Sequence, residues 1–455
     1  MASGIGQWLV DSGSGLVYSE GRGKEENFLA GDVAAFIAHT SEVIELGQEQ
    51  IVELRANSIT VTDHDGNPVE VDGYHVDRED REDSTADKGG YDHFMLKEIA
   101  EQPRAVADTL LGRVLADGRL NLDEARPALE ELHTVEKIVI IACGTSHHAG
   151  LIARYAIEHW CRLPCEVEVA GEFRYRDSIL DRRTLVIAIS QSGESTDTLM
   201  AVRHARAQGA KVLAICNVEG SPIPRESDGV LYTYAGPEVG VAATKTFLTQ
   251  LTMCYLIGLY LAQTREPKSA DKIDSVIAQL AAIPEKVEEV LGALDPVRES
   301  ARSLADAGTV LFLGRHVGYP VALEGALKLK ELAYMHAEAF AACEFRHGPI
   351  ALLEEGLPVV VMVPSPKGHS VLHDRVVSTI QEVRARGART IVIAEEGDES
   401  VRPHSDVLIE IPAVSPLLQP IVSTIPLQMF AYELALAKGN DVDRPRNLTK
   451  SVTGE

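Results

Sequence analysis

The chain has 455 residues, 45% hydrophobic and 24% charged, a globular composition with length for two or three domains. Its formal net charge of −25 opposes binding along a nucleic acid or an anionic membrane, so any phosphate it holds must be caught locally. The longest apolar stretch, Leu251 to Ala262, falls short of the ~20 residues a bilayer span needs, and no basic-then-apolar leader opens the chain, so a soluble, cytoplasmic protein is expected.

Taken in chain order, residues 1–75 are β-rich: IVELRANSITVTDHDGNPVEV reads as a hairpin with Asp65-Gly66 at its turn. The segment Val76 to Gly90 is charged and poor in large apolar groups, which marks a solvated crossing. After it, YDHFMLKEIAEQPRAVADTLL has helical spacing, with Pro103 near a break between two helices.

From there a pattern occurs twice. Four short β-branched runs begin at Ile138, Leu185, Val212 and Val230, and four more at Val310, Val359, Ile391 and Val407. The successive spacings are 47, 27 and 18 in the first series and 49, 32 and 16 in the second. Nearly continuous apolar runs suit strands buried on both faces, and helical stretches separate them. Two α/β domains follow, each a parallel sheet flanked by helices, joined by a helical connector over Asp271 to Ala307.

The six cysteines (Cys143, Cys161, Cys165, Cys216, Cys254 and Cys343) form no CxxC pair and lie mostly in apolar runs, as reduced thiols would. His147 and His148 are adjacent and cannot share a helix face as ligands at i and i+4 do, which argues against a metal there.

Candidate chemistry gathers at strand ends. Ser190-Gln191-Ser192-Gly193-Glu194-Ser195 follows a buried strand and precedes a helix near Thr196, a place where hydroxyls and free N–H groups can take one phosphate; a serine-rich N-cap is the plainer alternative. A second loop, Gly144-Thr145-Ser146, would reach the same edge. Neither GxGxxG nor a P-loop lysine is present, so a nucleotide is disfavoured. In the second copy Glu324, Lys328 and Glu331 fall at i, i+4 and i+7 of one helix, either a proton-shuttling group or a salt-bridged surface stripe. Cys343 to Pro349 offers His347 in an irregular segment, catalytic or structural. The polar end DVDRPRNLTKSVTGE reads as a frayed tail unless it folds over a site, which would give Lys450 a role.

These residues resemble the glutamine-dependent fructose-6-phosphate aminotransferase family. The matching segments are KEIAEQP, ACGTS, EFRYR, SQSGES with DTL, LAICN, RESD, GVAATK, LFLGR, ALEGALKLKE, HAE, HGP, VRARG, DVDRPRNL and KSVT, in consistent order from about Tyr91 to the end. The resemblance implies two tandem sugar-isomerase (SIS) domains at residues 131–285 and 286–436, a linker with helices at 76–130, and an active-site tail at 437–455. Residues 1–75 would be a β-rich remnant of a glutaminase domain. It further implies conversion of fructose 6-phosphate and ammonia to glucosamine 6-phosphate by a homodimer, with no metal and no organic cofactor. Ser190, Gln191, Ser192 and Ser195 would hold the phosphate, while Thr145, Ser146 and the Val241 backbone would contact the sugar. Glu331 would move a proton between C1 and C2, His347 of a neighbouring subunit would help open the ring, and Lys450 would form an imine at C2. Glu324, Lys328 and Glu238 would support them.

The departures bear on function. The family begins with a catalytic cysteine, whereas this chain starts Met1-Ala2-Ser3 and has no cysteine before Cys143. No glutaminase activity is therefore expected, and ammonia would arrive free or from a separate glutaminase. Ala243 replaces a usual serine, Ser195 a threonine, Thr449 an alanine, and Cys343-Glu344-Phe345-Arg346 a usual Gly-Glu-Leu-Lys, which leaves the exact sugar phosphate open. A pure ketose–aldose isomerase and a sugar-phosphate-binding regulator are the alternatives; the second lacks any accompanying helix-turn-helix segment.

Overall fold

The computed structural model describes residues 88–125, 128, 134–265, 270–368 and 370–451, together with seven N-terminal strands and residues 65–69. Those strands are β1 (Trp8–Ser12), β2 (Val17–Glu20), β3 (Asn27–Ala30), β4 (Glu42–Glu45), β5 (Gln50–Arg55), β6 (Ser58–Asp63) and β7 (Gly73–His75). They form two antiparallel sheets, ordered β1-β5-β6 and β3-β2-β4-β7. The expected hairpin is there, but its reversal lies between Arg55 and Ser58, which pair across β5 and β6. Asp65-Gly66 makes a second turn, leading β6 to a bridge between Thr62 and Pro68. The Asp63 carboxylate fixes it by accepting the N–H groups of Asp65 at 3.0 Å and Asn67 at 2.8 Å. Most of the charged crossing, residues 76–87, lies outside the described residues.

Two short helices follow, Phe94–Ala100 and Gln102–Leu110, with the break at Glu101. Pro103 stands in the first turn of the second helix, where its missing N–H leaves no bond unmade.

The first α/β domain contains β8 (Lys137–Ala142), β9 (Cys165–Val169), β10 (Thr184–Ser190), β11 (Lys211–Cys216) and β12 (Gly229–Tyr232), all parallel in the order β12-β11-β10-β8-β9. The second contains β13 (Thr309–Gly314), β14 (His336–Ala341), β15 (Pro358–Met362), β16 (Arg389–Glu395) and β17 (Val407–Ile411), parallel in the order β14-β13-β15-β16-β17. Read from opposite ends, the two orders are identical. The eight apolar runs are eight of these ten strands. The two that hydropathy passed over, β9 and β14, are equivalent edge strands: CEVEV and HAEAFA carry polar residues, and one edge of each pairs with no strand among the described residues.

The connector is helical, as Ala270–Ala281, Ile283–Leu291 and Asp295–Arg302. One continuous apolar cluster runs from Ile138 and Ile140 of the first domain to Val310 and Phe312 of the second, so the domains share a core, and smaller clusters cover the outer faces of the two sheets. The helix Gln419–Ala437 is long and apolar enough to cross a membrane by length and composition. It is a core helix: 89% of its apolar window is buried within the protein. Cys161, Cys165, Cys216 and Cys254 are buried free thiols, while Cys343 is exposed.

Gly325 shows how tightly the second domain holds the helix Gly318–Ala333. A Cβ there would meet Leu427 Cδ1 at 2.9 Å and the Phe312 ring at 3.0 Å. Gly325→Val is expected to destabilise the protein by ~1–3 kcal/mol, the cost of overpacking a filled core. A lowered urea midpoint with unchanged slope checks this.

Candidate active site

The carboxyl ends of β8 and β10, neighbours in the first sheet, set the site's floor. Past β10 the chain must turn sharply into the helix Thr196–Ala207. Gly193 makes the turn at φ 69°, and a Cβ on it would fall 1.9 Å from Ser221 Oγ, so glycine alone fits. Ser190 Oγ accepts the Gly193 N–H at 3.1 Å, and Ser192 Oγ accepts the Glu194 N–H at 3.2 Å. Ser195 precedes the helix, yet its hydroxyl does not cap it; it lies 3.5 Å from the Ser190 hydroxyl. The N-cap alternative is thereby set aside, and hydroxyls converge at a helix N-terminus. Gln191 continues the same loop, its carbonyl accepting the Asn217 N–H at 3.1 Å.

Gly144, Thr145 and Ser146 are not a loop. They open the helix Gly144–Cys161 directly, because Gly144 at φ 53° reverses the chain as it leaves β8 at Cys143. Thr145 then donates its hydroxyl to Glu324 Oε1 across the domain boundary at 3.0 Å.

Glu324, Lys328 and Glu331 share one face of the helix Gly318–Ala333, and that face is inside: Glu324 is 0% and Lys328 1% exposed. The surface-stripe reading fails. Lys328 Nζ donates to Glu331 Oε2 at 2.6 Å and stands 3.5 Å from Glu324 Oε1. Burial would push the Glu324 carboxyl up, but the Lys328 charge and a bond from His148 hold it below the usual carboxylate range. Burial likewise disfavours the Lys328 ammonium, and the charges of Glu331 and Glu324 overrule it, raising its proton affinity above the ordinary lysine range.

The tail folds back. Lys450 Nζ donates to Glu238 Oε2 at 2.6 Å and to the Gly240 carbonyl at 2.7 Å. Glu238 also accepts the N–H groups of Thr244 at 2.9 Å and Thr246 at 3.1 Å and the Thr246 hydroxyl at 2.7 Å. Burial raises the Glu238 carboxyl, and Lys450, by charge and hydrogen bond, brings it below its ordinary value. Three anchors carry the tail here. Asp443 accepts the N–H groups of Phe94 at 3.0 Å and Met95 at 2.9 Å, its own carbonyl accepts the Val241 N–H at 3.1 Å, and Arg446 stacks on Tyr334 at 4.1 Å. The frayed-tail reading is corrected: charged and backbone bonds on three elements outweigh the tail's polar composition.

His347 stands apart from this cluster, exposed on the turn Glu344–His347. Sequence reasoning missed His148, whose Nδ1 lies 2.7 Å from Glu324 Oε2. The signal was available: three residues after Thr145, it shares that residue's helix face and its partner. Glu98 and Asp443 left no signal, because each acts across more than 140 positions of sequence, on Val239 and Phe94 respectively.

The SIS domain family matches residues 131–260 and 303–438. The chain is 68% identical over 435 residues to a glutamine--fructose-6-phosphate aminotransferase [isomerizing] of Streptomyces coelicolor, covering 96% of this chain and 70% of that relative. It is 61% identical to one of Mycobacterium tuberculosis over 441 residues, with the same coverages of 96% and 70%. Its structure is similar to the C-terminal domain of a glucosamine-fructose-6-phosphate aminotransferase from Francisella tularensis, with TM-score 0.74, 41% identity, and coverage of 79% of this chain and 100% of that one. With the duplicated parallel sheets, the serine-lined strand end and the folded-back lysine tail in place, the chain belongs to the isomerizing glutamine--fructose-6-phosphate aminotransferase family.

Proposed function

We propose that this chain converts fructose 6-phosphate and ammonia to glucosamine 6-phosphate and water. The observation that carries the reading is Lys450, brought from the end of the chain onto Glu238 and Gly240 in the segment that follows β12. Asp443 and Arg446 already hold the tail in place, so Lys450 is not needed as its clasp.

In this reading Ser190, Gln191, Ser192 and Ser195 hold the phosphate at a helix N-terminus. Ser146 and Thr145 face the sugar, although the Thr145 hydroxyl is engaged by Glu324. Val241 contributes its carbonyl, since its N–H is engaged by Asp443. His347, from a second copy, moves a proton to or from the ring oxygen; its exposure in the single chain supports that use. Lys450 then passes its proton on and attacks C2, releasing water and forming an imine that makes the C1 hydrogens acidic. Ammonia displaces the lysine at C2, and Glu331 carries a proton from C1 to C2, completing the shift from ketose to aldose. Lys328 donates to Glu331 at 2.6 Å, and Glu324 holds Lys328.

The organisation that goes with this is two SIS domains at 131–285 and 286–436, preceded by a linker at 76–130 and a glutaminase-derived part at 1–75. The tail 437–455 closes the site. The protein would act as a cytoplasmic homodimer, with ammonia free or delivered by a separate glutaminase.

Incubation with fructose 6-phosphate, with and without an ammonium salt, tests the reading by the sugar product. Glucosamine 6-phosphate formed only with ammonium supports it; glucose 6-phosphate in both cases would identify a pure isomerase, and no product a binding protein. Ser192→Ala with Ser195→Ala is expected to weaken sugar-phosphate binding by ~1–3 kcal/mol, as lost hydrogen bonds to a charged group do. Calorimetry reads this directly. Lys450→Arg keeps the positive charge near Glu238 but removes the nucleophile, so turnover should be nearly abolished while phosphate affinity and melting temperature persist. Borohydride trapping of fructose 6-phosphate should label the Lys450 peptide; an adduct at Lys328 or Lys245 would reassign the imine.

A further inference from the structure

Beneath the segment that receives Lys450 lies a carboxyl group the mechanism does not use. Glu98, on the helix Phe94–Ala100, is 2% exposed. Its Oε1 accepts two backbone donors, Val239 N–H at 2.5 Å and Gly240 N–H at 3.1 Å. Its Oε2 is buried with no hydrogen-bond partner among the described residues. The space is so close that a Cβ on Gly240 would lie 2.8 Å from that oxygen. Gly240 therefore links the two groups: its N–H is held by Glu98, and its carbonyl accepts the Lys450 ammonium at 2.7 Å.

We propose that Glu98 is a positioning residue for Lys450, bracing the Val239–Gly240 segment in both its protonation states and, when ionised, adding a second negative charge that holds the ammonium on Glu238. The inference rests on the reading of Lys450 as the imine-forming amine only for its consequence in catalysis, and its geometry stands without it.

A buried oxygen with no partner among the described residues favours the neutral acid, since an ionised carboxylate there leaves charge unsatisfied. Burial first and the neighbouring Glu238 carboxylate second push the Glu98 carboxyl up to about 7, against the pull of Lys450 and the two N–H donors. The surrounding charges are accounted for on each element. Glu238 is held by Lys450 on the tail and faces Lys328 from the second domain. Lys245, on the helix Lys245–Thr264, is paired with Glu101 at 2.7 Å. Asp443 is bonded to the N-terminus of the Glu98 helix, and Tyr432 of the C-terminal helix to His93 at 2.9 Å. Glu98 and Glu238 thus share one ammonium. Below neutrality Glu98 is neutral and Lys450 faces a single carboxylate; above it the ammonium faces two and is held more firmly in place.

The test compares the full-length protein with Glu98→Gln, which keeps an oxygen for the two N–H donors and removes the titration. Limited acetylation by acetic anhydride, which needs no substrate, is followed at the Lys450 peptide against exposed Lys211 across the neutral range. In the native protein the Lys450 to Lys211 ratio should bend near neutrality; in Glu98→Gln the bend should be lost, with Lys450 acetylated about three- to tenfold more above it, as removal of one nearby opposite charge requires. Identical ratios at every pH in the two proteins would overturn the proposal. If Glu98→Gln melts early, Glu98→Asp decides instead: a displaced bend supports the proposal and an unmoved one overturns it. Borohydride trapping with fructose 6-phosphate runs in parallel. An altered acetylation profile with no sugar adduct at Lys450 would sink the imine assignment and leave the role of Glu98 standing.

Discussion

A lysine ammonium that is 1% exposed has to be neutralised where it lies, and Lys328 imposes that requirement on both domains. Moving an ion out of water costs several kcal/mol, which only close carboxylates with satisfied lone pairs can offset. Lys328 has Glu331 at 2.6 Å and Glu324 at 3.5 Å on its own helix. Glu324, fully buried itself, then needs donors, and the first domain provides them as Thr145 and His148. With Glu324 ionised, the proton of the His148 bond sits on Nδ1. The shared apolar core sets how closely the domains approach, and this chain of charges sets their register. The strand end that carries the hydroxyls and the helix that carries the acids are thereby fixed against each other.

The tail meets the same constraint from the other side. Glu238 is buried and would be an uncompensated charge without Lys450. Asp443 is the clasp: its side chain caps the N-terminus of the helix that carries Glu98, and its carbonyl takes the Val241 N–H, next to the segment that Glu98 braces. Helix, loop and tail close into one ring of bonds. Such a ring gives a polar C-terminal segment a defined place, and it excludes water from the carbonyl and carboxylate that hold the lysine.

Duplication produced two equivalent sheet edges, and they have diverged. At the first, serine hydroxyls converge at a glycine turn before a helix N-terminus. At the second, Gln419 reaches in to accept the Ser365 N–H at 3.1 Å and donate to the Val363 carbonyl at 2.8 Å. Ser365 itself donates to Glu395 at 2.6 Å, which Lys367 pairs. Here Ser365 and Gln419 bond to groups of their own domain. The second domain contributes the buried Glu324–Lys328–Glu331 helix, which bonds to Thr145 and His148 of the first.

Apolar runs buried on both faces announced eight of the ten parallel strands, the repeat and the helical connector, because burial on two sides leaves a composition that local reading detects. Turn chemistry likewise announced the serine loop after β10. The edge strands β9 and β14 did not show, since half-exposed strands carry polar residues that look like loop. Whether Glu324, Lys328 and Glu331 were a surface stripe or a buried network was undecidable from spacing, because the same i, i+4, i+7 face is written by both; only the packing of the second domain onto His148 and Thr145 decided it. Lys450 is the extreme case. A lone lysine in a polar tail has no local signature, and its pairing with Glu238, 212 positions away, exists only once two sheets, a helix and the clasp at Asp443 have fixed where the end of the chain can lie.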